Sequence, residues 1–313
     1  MTVWTAIAGN VLVALTKLAA ALVTGSSAML SEAVHSFVDT GNEVLLLYGM
    51  RRSRQNPDVE HPFGYGRELY FWSFIVALLL FGLGCTVSIV QGINQIRHPS
   101  PIEHVGVVYL VLALSAVFEG SSWVVAIKGF RPSVGAEGYL AAITRSKDPP
   151  QFVVLLEDTA ALIGIVIVAA GTFASVYWRD PRIDGIGSVA VGILLGAVAT
   201  LLARESKGLL IGERADRLLQ QDVFAIAKST RGVVRPNGLV SAQLAPDQVV
   251  VALSIKFQDQ LTTPEIERIV VDMESRVRQA HPQVFVLYVK PQSKQAFEAS
   301  NLRIRGETRT GGP

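Results

Sequence analysis

Residues 31–39 place ionisable side chains inside an otherwise apolar stretch of the chain. On an α-helix, residues three, four and seven apart share one face, so Glu32, His35 and Asp39 point in the same direction. Ionisable groups at membrane depth are costly, and they usually face the interior of a helix bundle or a water-filled path. An imidazole and carboxylates on one stripe can hold a divalent cation or relay protons.

A second acidic pair, Glu157 and Asp158, lies in another apolar stretch. Neighbouring residues on a helix point about 100° apart, so only one of the two is expected to contact a metal directly. The other acid is then a proton group or a helix-packing partner. Both acids are therefore candidates for a site shared with residues 31–39.

The composition indicates a membrane protein. Of the 313 residues, half are hydrophobic and only 17% are charged, which is too apolar for a soluble domain of this length. The net charge of +2 gives no indication of nucleic-acid binding. The single cysteine, Cys85, excludes a disulfide within the chain and a cysteine-based metal cluster. The first apolar stretch has no basic region before it and is interpreted as a retained transmembrane helix rather than a signal peptide.

A spanning helix needs about 20 mostly apolar residues. The stretches that satisfy or approach this requirement are 3–23, 28–50, 69–95, 105–128, 151–177 and 185–203. The loops after the second and fourth stretches, and the end of the sixth, carry more arginine and lysine than the loops of the other face. This charge bias predicts that both termini are cytoplasmic. The expected architecture is an all-α bundle of six transmembrane helices over residues 1–203.

The pattern changes after residue 203. Residues 214–230 suit an amphipathic helix, 238–245 and 248–257 suit strands, 263–280 suit a helix and 284–289 a third strand. This order predicts a small α+β domain of the ferredoxin-like type over residues 204–292, which we interpret as a cytosolic dimerisation domain. Residues 293–313 are polar and contain glycine, and they are predicted to form a flexible tail.

Together these features resemble the cation diffusion facilitator family, and in particular its zinc-transporter branch. The resemblance rests on His35-x-x-x-Asp39, the sequence HPFGYGR at residues 61–67, the sequence LEDTAALIG at residues 156–164, the six helices and the α+β domain. It implies a homodimer in a lipid bilayer that exchanges a divalent metal ion for protons by alternating access. No permanently bound cofactor is implied, because Zn²⁺ and H⁺ are cargo.

The resemblance also implies a metal site with one departure from the family pattern. The implied ligands are His35, Asp39 and Asp158, with Glu157 and Glu32 as further candidates. When residues 162–164 are aligned with the usual family pattern, the position of its fifth-helix acid falls on Val154. Glu157 and Asp158 come about one turn later. The fourth ligand is therefore left open. Glu32 is interpreted as a ligand, as an outer partner of His35 or as an entrance charge.

Three further polar residues are given roles from their positions. Asn42 and Glu43 continue the stripe and could line an inner access path or serve a structural purpose. Glu119, in the fourth helix, needs a partner, and an interhelical ion pair with Lys17 of the first helix is favoured over metal binding.

The leading functional hypothesis is a transporter that exports a divalent cation, with Zn²⁺ expected because imidazole and carboxylate ligands suit it. Carboxylate-rich sites also accept Mn²⁺, Fe²⁺ or Co²⁺, and a metal sensor or scaffold without transport is the alternative. An enzyme is not expected, since the sequence contains neither HExxH nor GxSxG. The expected location is a bacterial inner (plasma) membrane.

Overall fold

The computed structural model describes residues 2–134 and 138–304. Within it the chain forms two compact units, Met1–Gly208 and Leu209–Pro313. The first unit is helical, and the second contains a small β-sheet with flanking helices. This division confirms the predicted change from a helical to a mixed architecture.

The helices of the first unit are mostly long. They are α1 (Thr2–Thr24), α2 (Ser27–Ser53), α3 (Glu68–Leu79), α4 (Thr86–Arg97), α5 (Val105–Phe130), α6 (Tyr139–Arg145), α7 (Pro149–Trp178) and α8 (Arg182–Ile211). Among the described residues, four helical stretches are long and apolar enough to cross a membrane: Glu68–Arg97, α5, α7 and α8. α1 contributes a shorter apolar stretch, Asn10–Thr24. α2 is less apolar because it carries the polar stripe.

α3 and α4 are joined without interruption by a π-helical segment, Leu80–Cys85. Segments of this kind are rare and widen the helix locally. Glycines of α8 lie close to this widened turn: a Cβ on Gly196 would be 3.0 Å from Cys85 Sγ, and one on Gly192 would be 3.1 Å from the Cys85 carbonyl oxygen. The absence of side chains at these glycines lets the two backbones approach closely.

The start of α2 is held by a residue of α8. Ser26 caps the helix, accepting a hydrogen bond from Met29 N at 3.1 Å. The fully buried Asp184 accepts from Ser26 Oγ at 2.7 Å, Ser27 N at 2.7 Å and Ala28 N at 3.3 Å. A carboxylate satisfies the free N–H groups of a helix start and complements its positive dipole. The helix that carries His35 and Asp39 therefore begins at a fixed point on α8.

The described part of the second unit, up to residue 304, contains three strands and three helices besides the end of α8. They are α9 (Arg217–Ser229), β1 (Val233–Ala245), β2 (Gln248–Phe257), α10 (Thr263–Ala280), β3 (Val284–Pro291) and α11 (Lys294–Ile304). The sheet order is β1-β2-β3, with β1 antiparallel and β3 parallel to β2. The helix–strand–strand–helix–strand order is the one predicted, although β1 begins five residues earlier than the predicted 238–245.

The two faces of the sheet differ. One face is the core, where Val251, Leu253 and Ile255 of β2 are buried together with residues of α9 and α10. On the other face Val240, Ala252 and Tyr288 are cross-strand neighbours, and all three are exposed. Strand residues alternate between faces, so this row belongs to an open apolar surface.

Two boundaries differ from the prediction. α8 continues past residue 203 to Ile211, and the units divide after Gly208, because the apolar pattern of the last helix carries on beyond its first charged residues. Residues 294–304, predicted as flexible, form α11, and Phe297 occupies the space where a Cβ of Gly238 would be. Residues 305–313 of the predicted tail lie outside the described residues.

Candidate functional site

His35 and Asp39 lie one turn apart on α2. His35 Nδ1 is 3.2 Å from Asp39 Oδ1, and the His35 side chain is only 1% exposed. The atoms do not align as a hydrogen bond, so His35 Nδ1, His35 Nε2 and Asp39 Oδ1 are buried without a hydrogen-bond partner. Buried polar atoms are normally satisfied, and such exceptions suggest that a ligand belongs there. An imidazole nitrogen and a carboxylate oxygen are ordinary ligands of Zn²⁺.

The acids of α7 reach two different helices. Glu157 is buried and accepts a hydrogen bond from Asn42 Nδ2 of α2 at 2.5 Å. Asp158 accepts one from Ser122 Oγ of α5 at 2.8 Å. Their separation of about 100° around the helix explains why consecutive residues have different partners.

One cavity connects these acids with Asp39. Its volume is about 30 Å³, and about 10–15 Å³ suffices for one water molecule. An ion with a water molecule would therefore fit. The cavity is lined by residues of α1, α2, α5 and α7: Asn10, Val13, Ser36, Asp39, Glu43, Phe118, Glu119, Ser122, Val154, Glu157 and Asp158.

Val154 lines this cavity as well, one turn before Asp158. It is the position at which the usual family pattern would put an acid. The apolar side chain there leaves Glu157 and Asp158 as the acids that α7 supplies to the cavity. Beyond Asp39 on α2, Glu43 accepts a hydrogen bond from Asn10 Nδ2 at 2.6 Å. Glu43 lines the cavity and is tied to α1 by this bond, so an access path and a structural role both stay predictions for it.

Glu32 is engaged elsewhere. Its Oε2 is 3.3 Å from Lys17 Nζ, and both side chains are fully buried. Lys17 also lies 3.4 Å from Glu119 Oε1, which confirms the predicted ion pair between α1 and α5. Of the three interpretations of Glu32, a role as partner of His35 is not seen, since both nitrogens of His35 lack a hydrogen bond.

The candidate ligands are thus near one another without forming a finished coordination sphere. Within residues 2–134 and 138–304, no group of three or more His, Cys, Asp or Glu side chains is placed to hold a metal ion. The physical reason is competition: Asn42 engages Glu157, Ser122 engages Asp158 and Lys17 engages Glu32. Binding by more than His35 and Asp39 would recruit the acids of α7, each of which has one oxygen engaged by a neighbouring side chain.

The loop motif at residues 61–67 is organised by Asp58. This carboxylate accepts hydrogen bonds from His61 N and from the Tyr65 hydroxyl, both at 2.6 Å. The Tyr65 hydroxyl and the His61 amide lower the pKa of Asp58, because both bonds favour the ionised form. In this arrangement the motif holds a turn before α3.

Sequence reasoning missed Asn10 and Ser122 as cavity residues. Both could have been found from helical spacing. Asn10 lies seven residues before Lys17, and Ser122 lies three residues after Glu119, so each shares a face with a charged residue in a membrane-type helix. An uncharged polar residue on the same helix face as a charged one therefore also indicates a polar cavity in a membrane-type helix.

Comparison with known proteins gives consistent matches. A family model described as the cation efflux transmembrane domain matches residues 3–211. The protein named proton-coupled zinc antiporter SLC30A9, mitochondrial, is 34% identical in Mus musculus and 38% identical in Xenopus laevis, each over 79% of this chain and 44% of the relative. Metal tolerance protein C4 of Arabidopsis thaliana is 36% identical over 73% of this chain and 50% of the relative.

This chain therefore spans about half or less of the length of these relatives. The word mitochondrial in the vertebrate names gives no support to the predicted bacterial inner membrane. Since residues 3–211 make up most of the chain, the protein belongs to the cation diffusion facilitator family of cation efflux proteins, as its motifs predict.

Proposed function

We propose that this protein is a secondary transporter that moves a divalent cation, Zn²⁺, out of the cytoplasm in exchange for protons. The observation that carries the proposal is the unpartnered His35–Asp39 pair beside a partly open, acid-lined cavity. The names of the relatives support the choice of zinc and of protons. His35, Asp39 and Asp158 are the proposed ligands, with Glu157 as the alternative acid.

The exchange follows from the chemistry of the ligands. A metal binds neutral imidazole and ionised carboxylate, so protons and metal compete for the same atoms. Release of the hydrogen bonds from Asn42 and Ser122 would let the α7 acids turn to the metal. These hydrogen bonds would form again when the metal leaves. Rocking of helices around this point would give alternating access to the two sides of the membrane.

The proposed topology has six spans: α1, α2, α3–α4, α5, α7 and α8. Both termini are cytoplasmic, in line with the distribution of arginine and lysine in the loops. The second unit, ferredoxin-like in its element order, is then cytosolic and holds two copies of the chain together as a homodimer. A bacterial inner membrane stays a prediction that the comparisons do not support.

The test is metal-driven proton movement in proteoliposomes. Zn²⁺ gradients across liposomes containing the wild-type protein should drive proton counterflow. His35→Ala and Asp39→Ala should each lower the flux by at least about tenfold, since even indirect partners of metal ligands contribute that much. His98→Ala and Asp247→Ala, at exposed positions away from the cavity, serve as matched controls.

The outcomes separate the candidate functions. Equal flux in wild type, His35→Ala and Asp39→Ala would mean that the site lies elsewhere. Stoichiometric metal binding without flux in any of the proteins would replace transport by a sensor or scaffold role. Metal flux without proton movement would support transport and contradict the exchange for protons.

A further inference from the structure

Lys17 is a buried cation that the proposed transport reaction does not use. It lies on α1 and is fully buried. Its ammonium group donates to Ser36 Oγ at 2.8 Å and lies 3.3 Å from Glu32 Oε2 and 3.4 Å from Glu119 Oε1. An ammonium group has three donors, and here each has one acceptor. A buried charge of this kind persists only when it is fully paired.

The partners of Lys17 border the candidate metal site. Ser36 follows His35 directly, and both Ser36 and Glu119 line the cavity that contains Asp39. Glu32 lies one turn from His35 on the same face of α2. Lys17 therefore holds two carboxylates: Glu119 lines the cavity, and Glu32 lies one helical turn from His35.

Glu32 has a further constraint. Its second oxygen, Oε1, is buried without a hydrogen-bond partner, and it lies so close to α7 that a Cβ on Gly164 would overlap it. One oxygen is thus bound by Lys17, and the other is free to accept a cation if the ion pair opens. The ion pair with Lys17 holds the other oxygen, Oε2, toward α1.

We propose that Lys17 is a specificity-determining residue, which withholds Glu32 and Glu119 from the transported metal. With both acids occupied, the donor set reduces to His35, Asp39 and the acids of α7. Zn²⁺ accepts such a small set with an imidazole, in four-coordinate geometry. Mn²⁺ prefers more oxygen ligands in octahedral geometry. Lys17 would thereby favour zinc over manganese. This inference rests on the proposed function, because it assigns the selectivity of the same site.

A purely structural ion pair is the competing explanation. In that case Lys17 joins α1 to α2 and α5, and its loss lowers stability without changing the preference among metals. The two explanations differ in the ratio of Zn²⁺ to Mn²⁺ affinity, which a change in stability alone does not move. The ratio is therefore the quantity to measure.

The experiment uses double variants of the full chain that keep the net charge of the wild-type cluster, since Lys17→Met alone would leave two carboxylates without their cation and could fail to fold. Lys17→Met with Glu119→Gln frees Glu32, and Lys17→Met with Glu32→Gln frees Glu119. A triple variant with all three changes frees neither acid and is the matched control. Binding of Zn²⁺ and of Mn²⁺ is measured by equilibrium dialysis of the detergent-solubilised protein, and flux of both ions in proteoliposomes.

We expect at least one double variant to shift the Zn²⁺:Mn²⁺ affinity ratio toward Mn²⁺ by about tenfold or more, the scale of indirect effects on metal sites. The triple variant should return toward the wild-type ratio. An unchanged ratio in both folded double variants, with wild-type transport intact, would overturn the role of Lys17 and leave the proposed function standing. Absence of metal binding by the wild type would overturn both.

Discussion

His35 shows how a single residue can couple metal binding to stability. Both of its nitrogens are buried without a partner, and leaving a buried donor or acceptor unsatisfied costs about 1–3 kcal/mol. A cation held by the ring and Asp39 would remove part of that cost. Any ligand that binds only the folded protein also stabilises it. The proposed metal ligand is thus also a local weak point of the fold.

Gly164 limits the space for Glu32, and its replacement gives a prediction at the level of one residue. In Gly164→Ala the new methyl group would overlap Glu32 Oε1, which cannot retreat freely because Lys17 holds the same carboxylate. Overpacking of this kind costs about 1–3 kcal/mol. We expect a lower thermal unfolding midpoint for the purified protein in detergent.

Gly171→Ala is the matched control on the same helix. The nearest atoms to its new methyl group would be 3.7 and 3.8 Å away, which is ordinary contact. Its unfolding midpoint should equal or exceed that of the wild type, because alanine restricts the unfolded chain. Equal midpoints for Gly164→Ala and Gly171→Ala would contradict the position of Glu32 against α7.

Part of the site could be predicted from helical spacing alone. The His35–Asp39 pair follows from a separation of four residues, and the Lys17–Glu119 pair follows from the need of buried charges for partners. The attachment of Glu32 to Lys17 did not follow. Spacing gives neighbours on one helix, whereas this contact depends on how α1 is rotated against α2.

At the scale of elements, α10 shows how sequence signals define a helix start. Thr262 is the N-cap residue, Pro264 lies in the first turn, and the side chain of Glu265 bonds back to Thr262. Glu265 Oε2 accepts from Thr262 N at 2.7 Å and from Thr262 Oγ1 at 2.8 Å. These bonds lower the pKa of Glu265, because they favour its ionised form. The capping contribution should therefore depend on pH.

The sign of the pH dependence follows from the lowered pKa. Since the folded pKa lies below the unfolded value, the contribution is present at neutral pH and is lost as pH falls from about 4.5 through the folded pKa. We expect Glu265→Gln to reduce hydrogen-exchange protection in the first turn of α10 at pH 7. The difference from wild type should shrink as the pH falls through that window.

Glu267→Gln is the control, since Glu267 is exposed on the same helix. This variant should leave the hydrogen-exchange protection of the first turn unchanged at pH 7 and throughout the acidic window. A constant difference between wild type and Glu265→Gln across the window would show that the carboxylate charge does not contribute to the cap.

The elements themselves were predictable where a local signal exists. The threonine and proline at residues 263 and 264 predict a helix start, and the helix begins at Thr263, with the cap at Thr262, one residue before the predicted cap. The helix α11 was not predicted, because its polar sequence is ordered by a tertiary contact of Phe297 with the space at Gly238. The π-helical segment Leu80–Cys85 likewise has no signal in the apolar pattern.

At the scale of the whole molecule, the open face of the sheet bears on the proposed homodimer. Val240, Ala252 and Tyr288 form an exposed row across three strands, with Val240 64% and Tyr288 54% exposed. A contiguous apolar surface of this kind often marks a protein interface. We expect the full chain to be a dimer in mild detergent, as measured by light scattering.

Ala252→Asp tests that surface, because it would place a charge at the centre of the row. The dimer dissociation constant should rise by at least about tenfold, which is the scale of a central interface residue. Ala280→Asp, at an exposed alanine at the end of α10, should leave it unchanged. A dimer of unchanged affinity in Ala252→Asp would place the contact on another surface.

The contact of Asp184 with the start of α2 has a consequence for biosynthesis. Ser26 and Asp184 are 158 positions apart, so α2 is made long before the residue that satisfies its first amides. At about 5–20 residues per second, the ribosome needs roughly 8–30 s to cover that distance. Within a bilayer, unsatisfied backbone groups are costly. The start of α2, and with it the stripe of Glu32, His35 and Asp39, therefore takes its final hydrogen bonds only after the first residues of α8 have been made.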